Sequence, residues 1–123
     1  MNATTVTVST LQATIARALA HDPAARARIE RAAILIGLGA VEKVDERTYR
    51  VASQTGDGST YTVVPGGCTC VDSQRHPGQR CKHAWAVRIT LAAQLQECRE
   101  RFPELTDQEM ERLTAWKHRY TAA

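Results

Sequence analysis

The chain has 123 residues, a formal charge of +3, 43% apolar residues and 24% charged ones. That describes one small soluble globular domain, too short to hold an ATPase or transposase core beside a second module, and it points to binding rather than catalysis. No apolar run is long enough to span a bilayer, and the N-terminal stretch lacks the basic start and apolar middle of a signal peptide, so a cytoplasmic protein with no membrane partner is expected.

In chain order, residues 1–40 read as a helical hairpin. Ser9 to His21 places Leu11, Ile15 and Leu19 four apart, and Ser9 with Gln12 has capping-box spacing. Asp22-Pro23 supplies a cap and a first-turn proline for a second helix, with Ile29, Ala33 and Ile36 on one face and Gly37 and Gly39 ending it. Residues 41–102 open with two β-branched segments around Thr55-Gly56-Asp57-Gly58, a turn sequence, with Tyr49, Val51, Tyr61 and Val63 at alternate positions. A small antiparallel β-hairpin is predicted there. After His83, the apolar positions Ala84, Val87, Leu91, Leu95, Cys98 and Phe102 recur at threes and fours, which predicts a long helix to about Phe102. Pro103 ends it, and residues 103–123 form a closing helix: Thr106 and Glu109 make a capping box, Leu105 and Met110 a staple, and Lys117, His118 and Arg119 suit the last turn. The fold class expected is therefore α+β, one small domain over 1–123 with no internal repeat.

The chemistry concentrates in the stretch CTCVDSQRHPGQRCKHAWAV, which starts at Cys68. On extended backbone, residues i and i+2 share a face, so Cys68 and Cys70 present their sulfurs together, with Gly66-Gly67 allowing close approach. Within a helix, i and i+2 diverge, so Cys81 and His83 converge only if Cys81 lies just before the helix begins. The site then sits at a strand-to-helix junction, and Pro77-Gly78 turns the intervening chain back. Three thiolates and an imidazole make a closed structural zinc set, so one structural Zn2+ is expected, with no open position for catalysis.

Competing readings are weaker. A disulfide framework needs an oxidising compartment, and Cys68 and Cys70 on one strand face pair badly. His76, in the loop, competes with His83 for the fourth position, but a histidine beside a proline turn is ordinarily exposed. Cys98 lies roughly 22 Å along a continuous helix from His83, too far to be a ligand, and is expected in the core. His21 and His118 sit at helix ends, where a cation suits the dipole.

The pattern Cys-x-Cys, ten residues, Cys-x-His, with CKHAWAV at the second pair and Tyr61-Thr62-Val63 before the first, resembles the SWIM zinc finger. That resemblance covers about Tyr49 to Leu91. It implies a β-hairpin and a helix around one zinc ion held by Cys68, Cys70, Cys81 and His83, with Lys82 and Ala86 as accompanying motif positions. Where the family usually has an aromatic residue after the first pair, this chain has Ser73. The resemblance implies DNA binding or protein interaction.

Charge favours the first. Arg75, Arg80, Lys82 and Arg88 surround the metal loop against one nearby acid, Asp72, whereas acids gather from Glu97 to Glu111. The expected function is a zinc module that binds nucleic acid through Arg75, Arg80, Lys82 and Arg88. The alternative is a protein-interaction adaptor, possible as a homodimer, that docks through apolar helices such as Ala24 to Leu38 or Asp107 to Tyr120. An enzyme is not expected, since no nucleophile or carboxylate cluster accompanies the closed metal set.

Overall fold

A computed structural model of the chain describes residues 6–113. The elements run α1 (Val8–His21), a 3₁₀ turn (Pro23–Ala25), α2 (Arg26–Gly37), β1 (Val41–Lys43), β2 (Tyr49–Ala52), β3 (Thr60–Val64), β4 (Gly67–Cys68), α3 (Val71–Arg75), α4 (Lys82–Arg101) and α5 (Asp107–Leu113). The α+β architecture and the opening helical pair are as expected. The sheet is larger than the predicted hairpin: β1 to β4 form an antiparallel meander in sequence order. In the central pair Tyr49 lies opposite Val63 and Val51 opposite Tyr61. At the far end, Val64 pairs with Gly67 across Pro65-Gly66, with Gly66 at φ 96°. Proline followed by a positive-φ glycine is the type II turn signature, and it delivers Cys68 directly to the site.

α4 is the spine of the molecule, packed by α1 and α2 and by strands β3 and β4. Its predicted single apolar stripe is therefore too narrow. His83, Trp85, Ala86, Val87, Ile89, Thr90, Leu91 and Ala93 are all buried, which spans more than one face. Beyond Ala93 the helix emerges: Leu95 and Cys98 are half-buried and Phe102 is 42% exposed, so Cys98 is not the core residue expected.

The helical pair also packs on faces other than those predicted. In α2 the buried residues are Ile29, Ala32 and Leu35, with Ile36 and Ala33 only partly covered. In α1 they are Thr10 and Thr14, with Leu11, Ile15 and Leu19 partly buried against the core. A threonine is tolerated inside a helix interface because its hydroxyl bonds the preceding turn, as Thr14 Oγ1 does to the Thr10 carbonyl at 2.8 Å. The cap of α1 is Thr7 rather than Ser9: its Oγ1 accepts from the Thr10 N–H at 3.3 Å. Asp22 makes no side-chain cap bond, and Pro23 starts the 3₁₀ turn instead of α2.

α2 ends as a Schellman motif. Gly39 sits at φ 70°, its N–H donates to the Ile36 carbonyl, and the Ala40 N–H donates to Leu35, both at 3.0 Å. The capping box of α5 is fully formed: the Glu109 N–H donates to Thr106 Oγ1 at 3.1 Å, and the Thr106 N–H to Glu109 Oε1 at 3.0 Å. Met110 is buried and Leu105 half-buried, as a staple requires. The rest of the expected closing helix, with Trp116, Lys117, His118, Arg119 and Tyr120, lies outside the described residues.

Candidate metal centre

The four ligand residues come from three local structures. Cys68 ends β4, and past a bend at Thr69 the chain reaches Cys70, the N-cap of α3, at φ −75°, ψ 162°. Cys81 is the N-cap of α4 at φ −75°, ψ 173°, and His83 lies in that helix's first turn. The expected position of Cys81, one step before the helix, is the observed one. Residues 71–80, expected as loop, contain the short helix α3 before the turn at Pro77-Gly78, where Gly78 is at φ 89° and the Gln79 N–H donates to the His76 carbonyl.

The donor atoms of Cys68, Cys70, Cys81 and His83 all lie within 4.8 Å of one another. His83 Nδ1 is 3.7 Å from Cys68 Sγ and 3.9 Å from Cys81 Sγ. Around an ion with bonds of about 2.0–2.3 Å, tetrahedral S···N and S···S edges are about 3.6–3.8 Å, so the donors are gathered at nearly the required spacing. Cys70, Cys81 and His83 are buried and Cys68 half-buried. These four residues are positioned to hold a metal ion, and four protein donors leave no place for a reacting water. His76 is excluded from the set: it is exposed, and its Nδ1 lies 3.1 Å from Asp72 Oδ1.

Two of the cysteines positioned to hold the ion are also helix caps. The Ser73 N–H donates to Cys70 Sγ and the Ala84 N–H to Cys81 Sγ, each at 3.4 Å, so two helix N-termini direct partial positive charge at sulfur. A hydrogen bond from the Cys68 thiol, helped by His83 and the Ala84 N–H, holds Cys81 well below the usual thiol range. The same bond to Cys81, with burial, pushes Cys68 up, and burial raises Cys70. Three sulfurs gathered this closely do not all ionise without a compensating charge. A cation is what allows all three sulfurs to ionise together.

The neighbours of the ligands carry signals that sequence reading missed. The Tyr61 ring stacks on His83 with centroids 4.3 Å apart and planes at 27°. His83 Nε2 is buried without a hydrogen-bond partner among the described residues, so stacking rather than a second hydrogen bond orients the ring. Ser73, standing where an aromatic residue was expected from the SWIM pattern, anchors the loop by polar contacts: its Oγ accepts from the Cys68 N–H at 3.3 Å. The loop is further fixed by Arg28 of α2, which donates to both oxygens of Asp72 and, through Nη1, to Gln79 Oε1. Tyr61 was readable as an alternating strand residue, but nothing in the sequence tied it to His83. No local signal marks Arg28, because its partners lie 44 and 51 residues away.

The four cations predicted to meet nucleic acid take different positions. Arg75 ends α3 and is exposed. Lys82 Nζ donates to Gln54 Oε1 at 3.2 Å, toward the β2–β3 loop. The Arg80 guanidinium lies 5.4 Å from the Trp85 ring centroid, and Arg80 and Arg88 share a cavity on the α1 side of α4. No described helix is long and apolar enough to cross a membrane. No family model, no curated protein and no solved structure matches the chain.

Proposed function

We propose that the chain is a SWIM-type structural zinc module that binds nucleic acid, duplex DNA foremost, by charge rather than by base reading. Zinc is the metal that three thiolates and one imidazole in a closed tetrahedral set suit best. One observation carries the nucleic-acid reading. Asp72 is the sole acid between residues 58 and 96, and both of its carboxylate oxygens are taken by Arg28. Asp72 therefore does not offset the charge of Arg75, Arg80 and Lys82 around the metal loop. Lys82 and Arg75, both near helix ends at the site, are suited to phosphate contacts, which position a protein without reading sequence.

The test is duplex binding by zinc-loaded protein across a salt series. With three or four phosphates neutralised, log affinity falls against log salt with a slope of about −3 to −4 and little sequence dependence. Arg75→Ala and Lys82→Ala each reduce the slope by about one, without changing zinc content. Glu104→Ala, in the acidic C-terminal region, leaves it unaltered. Absent or salt-insensitive binding would overturn this reading in favour of the protein-interaction adaptor.

A further inference from the structure

The four candidate ligands differ in what can reach them. Cys70, Cys81 and His83 are buried, whereas Cys68, at the end of β4, is the one residue of the set that is only half-buried. Oxidation of cysteine follows thiolate character and exposure, so Cys68 is the point of entry for a small polar oxidant. The residue placed to respond is Cys81. The Cys68 and Cys81 side chains are hydrogen-bonded to each other and arrive from different elements, one from the end of β4 and one from the N-cap of α4. Their sulfurs lie within 4.8 Å of each other, so they close by less than about 3 Å to reach disulfide length. Cys70 is the poorer partner, because it stands two residues from Cys68 in the chain, where a disulfide closes a strained ring. Cys98, the remaining cysteine, lies roughly 22 Å along α4 from His83 and takes no part.

We propose that Cys68 is an oxidation site for hydrogen peroxide and Cys81 its resolving partner, which makes the metal centre a reversible redox switch. The switch rests on the zinc part of the proposed function and is independent of the nucleic-acid part. The Cys68 thiolate attacks one peroxide oxygen, the O–O bond breaks, the sulfur becomes a sulfenic acid and the other oxygen leaves as hydroxide. The Cys81 thiolate then attacks the Cys68 sulfur, the S–O bond breaks and a second hydroxide departs. Two protons from solvent turn both hydroxides into water, so two thiolates and one peroxide yield one disulfide and two waters. Once Cys68 and Cys81 are joined, Cys70 and His83 remain as donors, too few for the closed set that holds zinc tightly, and the ion leaves. The disulfide then ties β4 to α4 where the metal did, which keeps the site assembled for reloading after reduction.

The experiment treats zinc-loaded, full-length protein with hydrogen peroxide at rising molar ratios. Released zinc is read with a chromophoric chelator, and cysteine pairing is mapped by mass spectrometry after free thiols are alkylated. About one zinc should leave per disulfide formed, with Cys68 linked to Cys81 and with Cys70 and Cys98 alkylated. Dimedone, a sulfenic-acid trap, should label Cys68 first when it is present from the start. Dithiothreitol, itself oxidised to a cyclic disulfide, should restore both thiols and zinc binding. Cys98→Ser should leave every readout unchanged. A different pairing, first labelling at Cys70 or Cys81, zinc loss without a disulfide, or zinc that stays bound over intact thiols overturns the switch and leaves the zinc reading standing. A reduced chain that holds no zinc overturns the zinc reading and the switch with it.

Discussion

Arg28 and Asp72 are joined by two parallel hydrogen bonds, Nε to Oδ2 and Nη2 to Oδ1, both 2.9 Å. The pair ties α2 to α3, and α3 begins at the ligand Cys70. A fold contact 44 residues long in sequence thereby holds one wall of the metal loop. Because Arg28 Nη1 also reaches Gln79, one side chain grips the loop on both sides of its turn.

The Arg28 bonds hold the Asp72 carboxyl down at about 2, against an ordinary value of 3.8. A depressed folded-state pKa stabilises the fold above the unfolded value and loses that contribution as pH falls through the folded one. With the Asp72 side chain 38% exposed, solvent screening reduces the contribution to about 1 kcal/mol. Arg28→Gln should lower the urea-unfolding free energy by about that amount at pH 7. The gap between wild type and variant should be constant down to about pH 5 and shrink between 3.8 and 2. Acid also protonates the thiol ligands in both proteins, so the difference between them isolates the pair.

Cys81 combines two roles that substitution can separate. Serine keeps an oxygen able to accept from the Ala84 N–H but is a poor zinc ligand, whereas alanine does neither. Both variants should lose tight zinc, measured by elemental analysis after dialysis. In the metal-free state, Cys81→Ser should be more stable than Cys81→Ala by about 1 kcal/mol, the worth of an N-cap. Equal metal-free stabilities would show that the sulfur does no capping.

The stack of Tyr61 on His83 should appear in metal affinity. Tyr61→Leu keeps apolar bulk but removes the aromatic pair, worth about 0.5–1.5 kcal/mol, and so should weaken zinc binding about two- to tenfold. Competition against a chromophoric chelator reads this directly. Unchanged affinity would mean that the ring of His83 is oriented by its helix alone.

The packing face of α2 is tested by adjacent residues. Leu35 is fully buried and Ile34 is 50% exposed. Leu35→Ala should cost about 2–5 kcal/mol, and Ile34→Ala less than about 1. Chemical denaturation of the zinc-saturated proteins distinguishes them, and comparable losses would contradict the face described.

Features built from neighbours in the chain were legible before the structure. The Thr106–Glu109 box, the glycine stop of α2 and the four metal donors all depend on short spacings, which sequence displays directly. The face of α2 was not legible, because Ala32 to Leu38 is apolar on every side and periodicity has no contrast to read. Thr10, Thr14 and Thr90 were passed over as polar, although their hydroxyls bond within the helix or to its cap and leave the methyl groups free to pack. Strands β1 and β4, three and two residues long, are too short to alternate. The Arg28 clamp and the cavity that Arg80 and Arg88 share beside α1 require the tertiary fold, so no window along the chain could contain them.

The short span of the ligand set also bears on the order in which the chain folds. Cys68 and His83 are 15 residues apart, whereas Arg28 and Asp72 close a loop of 44. Loop-closure entropy makes the shorter closure cheaper by about 1 kcal/mol, before any binding energy of the metal is added. A zinc ion present at the start of refolding can therefore gather the β3–β4 hairpin and the first turn of α4 into a nucleus, onto which α1 and α2 later dock. Refolding begun with zinc should outpace refolding in which zinc arrives last, and substitutions such as Val63→Ala should slow it more than substitutions in α1. On the proposed zinc reading, the metal is a timer of assembly as well as a brace of the finished fold.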